Sequence, residues 1–211
     1  MIVHDCKQGS EAWLLKRCGL PTASEFDALV TPLLKPRTGE GRQTYLLTKL
    51  AEKVMGYPAQ TFSGGPMEQG SILEGEAVPW YEFTHNAKIN RVGFCTTDDG
   101  RVGCSPDGLL GEDGGIEIKC PSPHVHLAYL LGGRVPPQYL AQVHGNLYVT
   151  GRPWWLFVSY NRNFPALVVK VARDEAWITA LDAVLKQFLA DFDAAEAALR
   201  GLLKKDQPSK I

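Results

Sequence analysis

Two carboxylates and a lysine in the middle of the chain have types and spacing that can do chemistry. Cys104-Ser105-Pro106-Asp107-Gly108 is followed by Glu117-Ile118-Lys119. A strand sends alternate side chains to opposite faces, so Glu117 and Lys119 point together while Ile116 and Ile118 turn to a core. Asp107, at the end of the preceding strand and across a hairpin, reaches the same spot. Two hard oxygen ligands suit Mg²⁺ or Mn²⁺, which bind through a few carboxylates and otherwise through waters and phosphate oxygens. The backbone carbonyl of Ile118 can add a ligand. Lys119 beside them can orient or help deprotonate an attacking water and offset charge on a phosphorane. An isolated Glu-x-Lys is far more often an ordinary ion pair on a surface strand beside a turn aspartate. The Pro-Asp at hairpin distance, the apolar interleaving and the Gly-rich turn bring the two readings level. Spacing alone leaves both readings open.

The elements that must position these groups follow from pattern. Ser10 predicts the cap of a short helix through about Arg17. Thr22-Ala23-Ser24-Glu25 has the capping-box form and predicts a helix through about Val30. Leu33 to Gly41 reads as a basic loop. Helical spacing returns from Arg42 to about Met55, and again from about Pro66 to His85, where Pro79 predicts a kink or a division. Ile89–Thr96, Val102–Ser105 and Gly115–Cys120 are short strands between turn signals. Helices over about Val125–Leu131 and Pro137–Val149 precede two strands, Trp154–Tyr160 and Ala166–Val171. A long amphipathic helix begins at Asp174. This order predicts an α/β (α+β) fold, a central mixed β-sheet flanked by helices. One domain over 1–203 is expected, with a flexible tail over 204–211.

Composition narrows the classes. The chain has 211 residues, 45% of them hydrophobic and 21% charged, as in an ordinary folded protein. Its sequence offers no membrane span and no signal peptide, so a cytoplasmic protein is expected. The five cysteines form no CxxC pair, which argues against a zinc knuckle or a disulfide framework. A net charge of −1 argues against a simple DNA-binding module held by charge, and requires any DNA contact to be local.

The central motif, Ser105-Pro106-Asp107-Gly108 with Glu117-Ile118-Lys119-Cys120-Pro121, resembles that of the PD-(D/E)-x-K nucleases. More closely it resembles the lambda-type phage exonucleases, the YqaJ-like viral recombinases. Gln8-Gly9 through Trp13, Arg17, Gly19 and Thr22–Glu25 are similar to that family's opening. Gly70 through Glu74 resembles its acidic helix, and Tyr139–Val143 with Val149-Thr150 its glutamine helix. The matched blocks keep their order over about residues 8–160.

The resemblance implies a restriction-endonuclease-like core with roles for particular residues. Asp107 and Glu117 are metal ligands and Lys119 positions water. Glu74 stands near a second metal or its waters, so two Mg²⁺ ions are implied, with Mn²⁺ an alternative. Gln142 touches the attacking water or the scissile strand. Arg17 and Ser24 hold the 5′-phosphate of a DNA end. For Ser24 the first turn of a helix capped by Thr22 gives independent reason, since unpaired backbone N–H groups there attract phosphate. The activity implied is 5′→3′ digestion of one strand of linear double-stranded DNA to mononucleotides, leaving 3′ tails. A ring-shaped homotrimer, a single-strand annealing protein as partner, and a bacterial or phage-infected cell come with it. The alternatives are another endonuclease of the same motif class and a catalytically silent DNA-end-binding module. Iron–sulfur relatives are disfavoured because no cysteine follows Cys120. His124 and His126 form an H-x-H with no apparent third ligand, and Trp154-Trp155 reads as core.

Overall fold

The computed structural model describes residues 1–59 and 65–205; the side chains of 65–72, 74 and 205 lie outside the description. Among the described residues, eight strands and six α-helices alternate with one 3₁₀ helix. In chain order they are β1 (Ile2–His4), α1 (Glu11–Arg17), the 3₁₀ helix (Ala23–Ala28), α2 (Glu40–Met55), α3 (Gly65–His85), β2 (Ile89–Asn90), β3 (Phe94–Thr96) and β4 (Gly103–Cys104). Then come β5 (Gly108–Leu110), β6 (Gly114–Lys119), α4 (Pro123–Gly132), α5 (Pro137–Thr150), β7 (Trp154–Ser159), β8 (Leu167–Ala172) and α6 (Glu175–Lys205).

The central sheet is mixed, in the order β2-β5-β6-β7-β8. Only β6 and β7 run parallel within it, with Glu117 opposite Phe157 and Ile118 opposite Val158. The alternation read from sequence holds. Ile116, Ile118, Leu156 and Val158 pack with Ala77, Val78 and Tyr81 of α3. The other face buries Trp155 and Phe157 against Val143 and Leu147 of α5 and Ile178 of α6. Glu117 and Lys119 therefore look toward α5. This is the expected mixed sheet flanked by helices.

A smaller antiparallel sheet, β1-β3-β4, lies apart from it in pairing. The expected single strand Ile89–Thr96 is thus two strands in two sheets. The break falls at Gly93, where a Cβ would come within 1.7 Å of the Cys6 carbonyl oxygen. Strands β1 and β5 were not expected. Asp107 lies in the link between β4 and β5, and the hairpin that brings it to β6 is β5–β6.

The second expected helix is a 3₁₀ helix, and its capping box does not form. The Thr22 hydroxyl donates to Glu25 Oε2 at 2.9 Å instead of accepting from the helix backbone. This helix packs on α5 through Gly145, where a Cβ would meet Phe26 at 2.6 Å and Ala23 at 2.8 Å. Helix α3 runs through Pro79 undivided, with that residue exposed. Helix α6 includes Lys204 and Lys205, expected in the tail; residues 206–211 lie outside the described residues.

His144 of α5 is a buried ionisable group unconnected with the site. Its ring is 5% exposed, stacks on Trp177 at 4.5 Å and 5°, and leaves Nδ1 without a partner. Burial pulls its pKa down from 6.5 to about 4, against a weaker upward pull from Asp174. The unfolded chain therefore binds an additional proton between those values. Stability from this residue is complete above pH 6.5 and is lost as pH falls toward about 4, by roughly 3 kcal/mol at the end. His144→Phe keeps the stack and removes the titration. Its melting temperature should fall less than the wild type's between pH 7 and pH 4.5, and parallel curves would show that His144 does not contribute.

Candidate active site

The three residues Ser105, Pro106 and Asp107 cross from β4 in the small sheet to β5 in the central one. Glycine must follow, because a Cβ at position 108 would lie 2.1 Å from Cγ2 of Ile89 on the neighbouring strand. Asp107 Oδ2 accepts the Ile118 N–H at 2.5 Å. That bond also orients the Ile118 carbonyl. Lys119 turns its own carbonyl outward beyond β7, accepting from Tyr160 N at 2.9 Å. Adjacent residues of a strand point their backbone groups to opposite edges, so Ile118 directs both N–H and C=O toward Asp107.

Glu117 is 2% exposed. Its Oε1 accepts from Gln142 Nε2 at 2.6 Å and meets Lys119 Nζ at 2.7 Å, and its Oε2 accepts from Asn146 Nδ2 at 2.9 Å. A buried carboxylate needs such donors to hold its charge. Burial depresses the Lys119 ammonium, but Glu117 and Asp107 beside it outweigh this and lift its pKa above the ordinary lysine value. The Tyr139 ring lies 5.2 Å beneath that ammonium. Carboxylates, a directed carbonyl and a lysine thus converge, and the oxygen set fits Mg²⁺ or Mn²⁺. Among the described residues no three His, Cys, Asp or Glu side chains gather to hold a metal. A site built on two carboxylates and a carbonyl is all that these residues offer. The side chain of Glu74 lies outside the described residues, so its expected place beside a second metal is not described.

A second cluster begins at Ser105. Its hydroxyl oxygen accepts from Trp13 Nε1 and from Arg17 Nη1, each at 2.9 Å. The Arg17 guanidinium lies over the Trp13 ring at 4.5 Å and reaches Thr22 Oγ1 at 3.1 Å and Ser24 Oγ at 3.3 Å. Burial lowers its pKa, opposed chiefly by Glu25, itself paired to buried Lys49 at 3.1 Å. Arg17 and Ser24 are brought together as expected, although Ser24 stands exposed on a 3₁₀ helix rather than in a capped α-helical turn.

Sequence reasoning missed Ser105, Trp13, Gln8 and Asn146 as parts of this arrangement. The Gln8 amide donates to the Pro106 carbonyl at 2.8 Å and the Val92 carbonyl at 3.1 Å. Asn146 was detectable, since it follows Gln142 by one helical turn. Gln138, one turn earlier, donates instead to the Tyr129 hydroxyl at 2.7 Å. The H-x-H is no metal site. His126 is fully buried; its Nε2 donates to the Pro165 carbonyl at 3.0 Å, which leaves Nδ1 to accept from Ser159 at 2.8 Å. His124 is exposed beside Ser122. Trp155 is core, as expected.

A mixed sheet between helices that presents Asp107, Glu117 and Lys119 together defines a nuclease of the PD-(D/E)-x-K kind. Over residues 12–153 the sequence matches the YqaJ-like viral recombinase domain, and the chain belongs to that family. Among solved structures it is similar to the alkaline exonuclease LHK-Exo from Laribacter hongkongensis, with 28% identity, a TM-score of 0.82, and coverage of 93% of this chain and 99% of that one. LHK-Exo in complex with dAMP gives 29% identity, a TM-score of 0.83 and the same 93% and 99% coverage. A phage-related exonuclease from Haemophilus somnus 129PT shares the fold at 13% identity, with a TM-score of 0.63 over 85% of this chain and 96% of that one. No curated protein matches the sequence. The chain is a lambda-exonuclease-like nuclease.

Asn146 tests how Glu117 is held. Asn146→Leu leaves one carboxylate oxygen short of a donor, and Asn146→Asp faces it with a like charge. Denaturant melts should show a loss of about 1–3 kcal/mol for the first and more for the second. Nuclease rates should fall in the same order. An Asn146→Asp protein as stable and active as the wild type would contradict this role.

Proposed function

We propose that this protein is a Mg²⁺-dependent 5′→3′ exonuclease. It digests one strand of linear double-stranded DNA to mononucleotides and leaves 3′ single-stranded tails for annealing-based recombination. One observation supports cutting next to a held DNA end, which the family resemblance makes the 5′ end: Arg17 bonds Ser105, two residues from Asp107. Two residues of extended chain span at most about 7 Å, so a terminal phosphate held by Arg17, Ser24 and Ser105 brings the next linkage to the carboxylates. The complex of LHK-Exo with dAMP, a deoxynucleoside monophosphate, is in keeping with a mononucleotide product.

Asp107, Glu117 and the Ile118 carbonyl would hold one ion, and Glu74 would serve a second. Bound there, the metal would supply an acidified water and neutralise charge on the phosphoryl group. Lys119 orients the attacking water and offsets charge gathering on the phosphorane. Gln142 and Asn146 fix the plane of the Glu117 carboxylate, so that its oxygens meet the ion in one orientation.

The surroundings belong to the same reading. A chain of net charge −1 holds duplex better by enclosure in a homotrimeric ring than by charge alone. The expected partner is a single-strand annealing protein that loads on the new tail, in the cytoplasm of a bacterial or phage-infected cell. No helix among the described residues is long and apolar enough to cross a membrane.

With Mg²⁺ and linear duplex, mononucleotides should be released faster from 5′-phosphate than from 5′-hydroxyl ends. Lys119→Ala and Asp107→Ala should each lower the rate on the order of 100-fold or more. Cuts within covalently closed circles would indicate an endonuclease. Binding without cleavage would indicate a silent end-binding module. Either result overturns the proposal.

A further inference from the structure

A near-neutral chain must gather its cationic contacts locally, and one such place adjoins Asp107. A cleft of about 240 Å³ opens there, walled by residues 6–8 and 91–93. Lys7 and Arg91, both exposed, line it together with Asp107. The walls are fixed against each other. Gln8 ties the Val92 and Pro106 carbonyls together, and Gly93 sits so close to the Cys6 carbonyl that no side chain fits between them. The backbone that carries both cations is therefore held in one place, although their long side chains must still be ordered when an anion arrives.

The position of this cleft gives it a strand to hold. The Arg17 cluster lies at the Ser105 end of the Ser105–Pro106–Asp107 link, and the cleft opens at the Asp107 end. We propose that Lys7 and Arg91 bind the phosphodiester that follows the scissile one on the degraded strand. The inference rests on the 5′→3′ reading. A strand with its terminal phosphate on Arg17 and its first linkage at Asp107 runs onward into the cleft. Three successive phosphates are then held: by a guanidinium, at the carboxylate site, and by a cation pair. The contact is to the backbone, so it acts alike on every sequence.

The test is a set of 5′-phosphorylated duplexes carrying one uncharged methylphosphonate linkage at successive positions. Neutralising the linkage after the scissile one should slow the first cleavage by wild type about tenfold. The double variant Lys7→Gln/Arg91→Gln should be slow on unmodified DNA by a similar factor and indifferent to that replacement. Lys7→Arg/Arg91→Lys should restore both the rate and the sensitivity. Equal slowing of wild type and Gln variant by the methylphosphonate overturns the proposal, as does a Gln variant with the wild-type rate. Duplex binding without metal keeps the two readings distinguishable. The slope of log K against log salt should be shallower in the Gln variant by about 0.9 for each phosphate that it no longer neutralises. If no nucleotide leaves a 5′ end, the exonuclease reading fails, and an unchanged salt slope then removes the cleft from DNA binding as well.

Discussion

Ser105, Pro106 and Asp107 form a three-residue crossing between two sheets, and each residue is tied to a different part of the chain. Asp107 takes the backbone N–H of Ile118 on the central strand, Pro106 takes the Gln8 amide, and Ser105 takes Trp13 and Arg17. A link this short has little freedom once its ends are set in strands, and four donors remove the rest. Each bond contributes on the order of 1 kcal/mol net. Their larger effect is geometric. The N-terminal segment that carries Arg17 is registered against the strand that carries Glu117 and Lys119.

Helix α5 is the second organiser. On one side Gly145 lets Phe26 and Ala23 of the 3₁₀ helix come against the backbone, which sets Ser24 near Arg17. On another side Gln142 and Asn146 grip the two oxygens of Glu117. One rigid element therefore faces both clusters. Preorganisation of this kind suits a reaction whose catalysis is mostly positioning and charge.

Much of this was legible in the sequence. The alternation of Ile116 and Ile118 with Glu117 and Lys119 has period two and needs no knowledge of neighbours, so its two faces could be read directly. The long helices and the strands β7 and β8 have enough residues for their period to register. Strand β5 is three residues beside a glycine-rich turn, and β1 is as short, so neither carries a periodic signal. The capping box at Thr22 failed because its Glu25 is engaged by Tyr45 and Lys49, partners supplied by a distant helix. Gln8 and Trp13 act on residues 98 and 92 positions away, which local pattern cannot reveal. Arg17 and Ser24 were singled out through family resemblance, but Ser105, the hydroxyl that joins Arg17 to the Asp107 crossing, was visible only in three dimensions.

The central claim is that one crossing serves both end recognition and cleavage, with Ser105 on the recognition side. The most direct measurement is the ratio of cleavage rates on 5′-phosphate and 5′-hydroxyl duplex for Ser105→Ala. The account predicts that the preference for the phosphate largely disappears while the rate on the hydroxyl end stays near wild type, because the Asp107–Ile118 bond is untouched. Loss of both rates in equal proportion, with the preference intact, would contradict it.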